Sequence, residues 1–450
     1  MATVDADVAG RHEPTPLARA VTTRLLFVFV LGDVLGAGVY VLVGEVARTS
    51  GGAVWAPLLL ALLLALLTAG SYAELATRFP RAGGAAHYTT MAYGPFVGFV
   101  VGFCMLTAGI VSVGALALGF AGDYLGELVE LPVVPVVLVF LLVLAAVNAR
   151  GIRDSLRANV VATVVEVSGL LLVIVLGLLV LLRGDGDLAR LNELGTTEQA
   201  ALPALLAGSV LAFYSFVGFE TSVNLAEEAV DPRRSYPLAL FGALLTAGVV
   251  YVLVGIVASA VVPAETLTSS SGPLLEVVRA AGGVPGWLFS AIALVAVANG
   301  ALLTGIMTSR LSFGMAREGL LPSALTRVLP QRKTPWVAIV VTTTLSLALA
   351  LTGTIGTLAA TLVLLLLVVF IAVNSAVLVL RRRPGGREDH FRVPSVVPVL
   401  GVFSCLMLMT QVEGGVWRRG LLLIGAGVVL GALGAWRLRR EADEGRHFQR

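Results

Sequence analysis

Charge is scarce in this 450-residue sequence: Asp, Glu, Lys and Arg supply 13% of it, about half the ~25% of a soluble globular chain. With 57% of residues hydrophobic, too little polar surface remains to solvate a compact body in water. The balance suits a body whose solvent is lipid. Cysteine is reduced to Cys104 and Cys405, each inside an apolar run, which excludes a disulfide framework. The histidines His12, His87, His390 and His447 lie in polar segments with no HExxH spacing, so no metal site and no cofactor is expected. GxSxG, a P-loop and a post-strand GxGxxG are also missing. No enzyme chemistry and no nucleic-acid partner is expected. The first sixteen residues carry Asp5, Asp7 and Glu13, unlike a signal peptide, so the first apolar run is expected to remain as a spanning helix.

Long apolar runs are abundant. A spanning helix needs roughly 20 apolar residues at 1.5 Å each. The sequence offers twelve segments, near 25–47, 54–77, 94–120, 132–149, 157–182, 203–227, 236–262, 285–314, 335–353, 355–380, 396–413 and 417–436. The expected fold class is therefore an all-α polytopic membrane protein with twelve transmembrane helices. Charge orients it. With residues 1–24 and the tail 437–450 both cytoplasmic, all but six of the 31 cationic residues fall on inner loops or tails; the exceptions are Arg48, Arg183, Arg190, Arg279, Arg418 and Arg419. That is the positive-inside pattern of a multi-pass protein of the cytoplasmic membrane. The outer loop 121–131 is acidic instead, with Asp123, Glu127 and Glu130.

Glycine is plentiful. Gly94, Gly98 and Gly102, and Gly427 and Gly431, repeat at GxxxG spacing and predict close helix packing. Two other glycine sites stand out because a carboxylate accompanies them at membrane mid-depth. The first span holds Gly32-Asp33-Val34-Leu35-Gly36-Ala37-Gly38; the sixth holds Phe213-Tyr214-Ser215-Phe216-Val217-Gly218-Phe219-Glu220. A charge there is costly and faces a cavity or a partner, and glycine lets the chain leave the helix where a cavity receives it. Gly36 and Gly218 are 182 residues apart, which is five spans. An odd number reverses orientation, so a five-helix unit repeated once is inverted. The units are expected at 25–182 and 203–380, with two accessory helices at 396–436.

Unwound helix ends expose N–H groups on one side and C=O groups on the other, attracting anions and cations respectively. A zwitterionic amino acid has one group of each sign. Its carboxylate is expected on the amides of Gly36, Ala37 and Gly38, and its ammonium on carbonyls near Phe213–Phe216. Glycines that only ease packing are the alternative reading of both sites.

These residues carry a family resemblance. The stretch from Leu31 to Ala47, Ser71-Tyr72-Ala73-Glu74-Leu75 with Phe79-Pro80-Arg81-Ala82-Gly83-Gly84, Phe213 to Glu220 followed by Ala226-Glu227-Glu228 and Asp231 to Pro237, and Ser309-Arg310 with Ala316 to Pro322 and Thr334-Pro335 together resemble the amino acid–polyamine–organocation (APC) superfamily, closest to its cationic amino acid transporter branch. The resemblance implies a LeuT-like five-plus-five fold and proton- or sodium-coupled uptake, or exchange, of amino acids or amines. It places the backbone site on Gly36, Ala37 and Gly38, and the aromatic gate and side-chain pocket on Phe213, Tyr214, Ser215, Val217 and Gly218. Glu220 matches an acidic position past the break. Asp33 stands where relatives carry a small or neutral residue, and Glu166 lies near where some proton-coupled members carry a lysine. Asp33 is therefore a candidate for a substrate cation, and Glu166 and Glu220 for the coupling proton. A polyamine or simple amine carrier is the alternative within transport. A membrane-embedded enzyme lacks a nucleophile, base or metal set, and a transport-dead sensor remains the reading from another class.

Overall fold

The computed structural model describes residues 21–80, 83–150, 152–197, 199–227, 229–383 and 389–447, with side chains outside 152–160, 224 and 435–447. Most of the expected N-terminal segment, Arg81, Ala82, Glu228, the loop 384–388 and the end of the tail lie outside them. The described residues form helices joined by turns and loops: α1 Thr23–Val34, α2 Gly38–Ser50, α3 Trp55–Arg78, α4 Gly84–Tyr93, α5 Pro95–Phe120, α6 Asp123–Gly126, α7 Val133–Arg150, α8 Ile152–Arg183, α9 Ala201–Tyr214, α10 Pro232–Val261, α11 Ala264–Ser269, α12 Pro273–Ala281, α13 Gly286–Arg317, α14 Trp336–Thr352, α15 Ile355–Arg381, α16 Val396–Met409 and α17 Gly414–His447. No strand forms among the described residues; Val21 and Ala229 make one isolated bridge.

Eight of these helices are long and apolar enough to cross a bilayer, and the bent pair α1–α2, turned by 45°, makes a ninth. The other three expected spans correspond to α9, α14 and α16, apolar helices of 14, 17 and 14 residues. α9 is short because the expected sixth span leaves the helix after Tyr214. The turn expected at Gly353–Gly356 is a tight break in which Thr354 caps α15: its hydroxyl accepts the Thr357 N–H, and the Thr357 hydroxyl accepts the Thr354 N–H. Reciprocal capping satisfies amides that would otherwise be orphaned between two apolar helices.

The outward faces carry aliphatic side chains, among them Leu138, Val139, Leu142 and Val143 on α7 and Val164, Leu171 and Val175 on α8. Such a surface is stable in hydrocarbon, not in water. Inside, α5 runs between α15, α13 and α4. The expected GxxxG packing occurs at Gly98, whose missing side chain makes room for Thr90 of α4, and at Gly427 and Gly431, which receive Phe103 and Phe99 of α5. Gly94 does something else. With φ +93 it caps both α4 and α5, a left-handed position that favours glycine.

Candidate functional site: two facing helix breaks

The α1 helix stops at Val34, where Leu35 leaves helical geometry, and α2 begins at Gly38. Val34 O, in the last turn, accepts the Gly36 N–H at 2.6 Å and also the Tyr251 hydroxyl of α10 at 2.6 Å. Two more phenols brace the start of α2. The Tyr124 hydroxyl donates to Tyr40 O at 2.7 Å, and the Tyr40 hydroxyl donates to Glu166 O on α8 at 2.6 Å.

The second break follows Tyr214. Residues 215–220 form turns, and a 3-10 segment, Thr221–Leu225, resumes the path. Gly218 is required here twice over. Its φ is +128, and a Cβ would come within 2.8 Å of the Asp33 carbonyl oxygen. The Glu220 carboxylate folds back to accept the Gly218 N–H at 2.9 Å. Asp33, in the last turn of α1, accepts from the Thr221 hydroxyl at 2.5 Å.

The two breaks touch. A Cβ on Gly38 would lie 3.0 Å from Ser215 Cα and 3.1 Å from Tyr214 Cδ1. α5 and α13 close the remaining sides. The Tyr214 hydroxyl is 2.8 Å from that of Ser112, and a Cβ on Gly300 would sit 3.1 Å from that of Ala37. Between these elements is a cavity of about 250 Å³. Its lining includes Asp33, Gly36, Ala37, Gly38, Tyr214, Ser215, Val217, Gly218, Glu166 and Glu220. Asp33 and Glu220, 187 positions apart in sequence, thus share one space.

Three carboxyls face that space, and no Arg, Lys or His is among its described lining residues. Asp33 and Glu220 have the partners given above. Glu166 is 1% exposed; Asn299 hydrogen-bonds its side chain, while its Oε1 has no partner among the described residues. The amides at the start of α2 and the carbonyls at the end of α9 supply partial charges of opposite sign. Phe213 O and Tyr214 O each accept one turn N–H, at 3.0 and 3.1 Å, and a carbonyl keeps a second lone pair for a ligand.

A family model for amino acid permeases matches residues 22–418. The chain belongs to the amino acid permease family. It is similar to the methylthioribose transporter of Bacillus subtilis, 26% identical over 94% of this chain and 95% of the relative. It is also similar to the branched-chain amino acid permease BcaP of the same organism, 26% identical over 89% of each. A vacuolar cationic amino acid transporter of Arabidopsis thaliana is 30% identical over 82% of this chain and 64% of its own length. The permease is a multi-pass membrane transporter, not an enzyme.

In this permease one expected pocket residue departs from the cavity. Phe213 is not among the lining residues; it is buried with its ring 5.8 Å from that of Phe370 on α15. Successive residues at a helix end point about 100° apart, so Tyr214 facing Ser112 turns Phe213 away. The structure also adds lining residues that sequence reading missed, notably Ser112, Asn299, Gly300, Thr304 and Leu366. They sit on unbroken helices with no local irregularity. Only Asn299, a lone amide in an apolar run, carried a signal that a search for intramembrane polar residues would have found.

Proposed function

We propose that the permease binds an amino acid at the two facing breaks and carries it across the cytoplasmic membrane, coupled to a proton or in exchange. The observation that supports this most strongly is the meeting of the breaks around one cavity, which offers amides for a carboxylate and carbonyls for an ammonium. Twelve spans complete the reading: two inverted five-helix units, 25–182 and 203–380, two accessory helices, and both termini in the cytoplasm. Glu166 is the carboxyl assigned to the coupling proton, with Glu220 second. A carboxyl with a free oxygen on a cavity can take up and release a proton as the cavity changes sides.

The three carboxyls without a basic partner favour one variant reading, a polyamine or simple amine substrate. A thermal-shift screen of the purified protein against amino acids and polyamines separates the two, because a ligand that binds only the folded state raises its stability. Stabilisation by amino acids and not by diamines is expected. Uptake of the stabilising compound into proteoliposomes then distinguishes a carrier from a sensor. Binding without uptake would overturn the transport reading.

A further inference from the structure

Away from the cavity, α3 and α15 are joined by a polar seam that the transport reading does not use. In the C-terminal halves of the two helices the Ser71 hydroxyl donates to Asn374 Oδ1 at 2.6 Å, and Asn374 Nδ2 donates to Thr68 Oγ1 at 3.2 Å and to Phe370 O at 2.8 Å. Beside them the Tyr72 and Phe370 rings meet edge to face, 6.1 Å apart. At the C-terminal end of α15, Arg381 grips Glu74 with two bonds, Nε to Oε1 at 2.7 Å and Nη2 to Oε2 at 2.5 Å. Both partners make further bonds. Glu74 Oε2 also accepts the Val393 N–H at 3.0 Å, while Arg381 donates to Val393 O at 2.6 Å and to Ser395 Oγ at 2.8 Å. The two side chains are 1% and 9% exposed. Thr77 then accepts the Phe391 N–H at 3.1 Å.

A bidentate carboxylate–guanidinium pair with further bonds from both partners is strong and directional. Parting it would strand two buried charges, the costliest way to open an interface. The contacts of α15 with the broken helix are of another kind: Phe370 meets Phe213 and Phe219 as ring on ring, and apolar faces can slide without losing a specific partner. We infer that α3 and α15, with the segment 391–395 laced between their ends, stay together as one rigid body throughout the transport cycle, so that the cavity opens elsewhere. The five-plus-five reading assigns α3 and α15 to different repeats; the seam is thus a fixed bond between repeats.

The test is a cross-link. Ser71→Cys with Asn374→Cys, on a background lacking Cys104 and Cys405, is reconstituted in proteoliposomes. Uptake of labelled L-leucine and L-arginine is then compared before and after oxidation, with the bonded fraction read on a non-reducing gel. Initial rates within about twofold are expected. A tenfold loss that dithiothreitol reverses would overturn the inference. If neither probe enters even the reduced protein, the choice of substrate has failed and not the seam. Spin labels at Leu59 and Arg382, near opposite ends of the two helices, then decide it without transport. One distance population, unmoved between pH 5 and pH 8 and by either amino acid, is the expected result. A second population displaced by more than about 5 Å refutes it.

Discussion

At the scale of single residues, the glycines of the first break have different duties. The sequence treats Gly38 as the backbone's approach to the ligand, with Gly38→Leu expected to abolish binding in a protein that still inserts. In the structure the missing side chain of Gly38 points at Ser215 and Tyr214, so a leucine there separates the breaks. Gly38→Leu is expected to lower the melting temperature as well as binding. Gly36 is the cleaner probe. A Cβ there meets only its own turn, 3.4 Å from Asp33 O, and the residue lines the cavity. Gly36→Ala should weaken ligand binding roughly tenfold in a titration while melting within a degree or two of wild type. Equal affinity in both proteins would remove Gly36 from the site. Gly218→Ala combines a left-handed φ with a backbone clash and is expected to destabilise by about 2 kcal/mol. For Glu166, the unpartnered oxygen makes the glutamine variant informative. Glu166→Gln should still bind and exchange substrate but lose accumulation driven by a pH gradient. Sodium-driven uptake indifferent to pH would retire that role.

At the scale of elements, both helix breaks are legible because glycine and a mid-membrane carboxylate are local signals. Their consequences are local too: a chain that leaves the helix at residues 35–37 and 215–220. Helix ends follow the sequence closely, as at α3, 55–78 against an expected 54–77. Lengths are less legible. α16 stops at Met409, where hydropathy continues to 413, because Gly414 opens the next helix after a four-residue connection. Orientation is the prediction that belongs here. Loops 183–202 and 263–284 are expected outside, and 228–235 and 381–395 inside. Cysteines placed singly on a background without Cys104 and Cys405 should react with an impermeant reagent at the first pair alone. Labelling of position 232 in intact cells would reverse the topology.

At the scale of the whole molecule, three acidic side chains on one cavity set a charge preference. With Asp33, Glu166 and Glu220 and no basic residue among the described lining, the space favours ligands that bring positive charge or carboxyls that hold protons. Asp33 lies at the C-terminal end of α1, where the helix dipole also repels an anion. Asp33→Asn is expected to reduce affinity for cationic amino acids about tenfold and to leave neutral ones nearly unchanged. A competition series with both classes reads this directly. Preference for neutral amino acids in both proteins would leave Asp33 as a structural partner of Thr221 alone.

By itself the sequence determined that this chain lives in lipid, where its apolar segments lie, which two of them break, and the residues at those breaks. Each of these depends on free energies fixed within a few residues: transfer of a side chain to hydrocarbon, the φ freedom of glycine, the cost of a buried charge. Only the tertiary structure decided which side chains share a space. It turned Phe213 onto Phe370, brought Ser112 to Tyr214 and Asn299 to Glu166, and closed Glu74 on Arg381 across more than 300 residues of chain. Those choices depend on how distant helices pack against one another, and no window along the sequence contains that information.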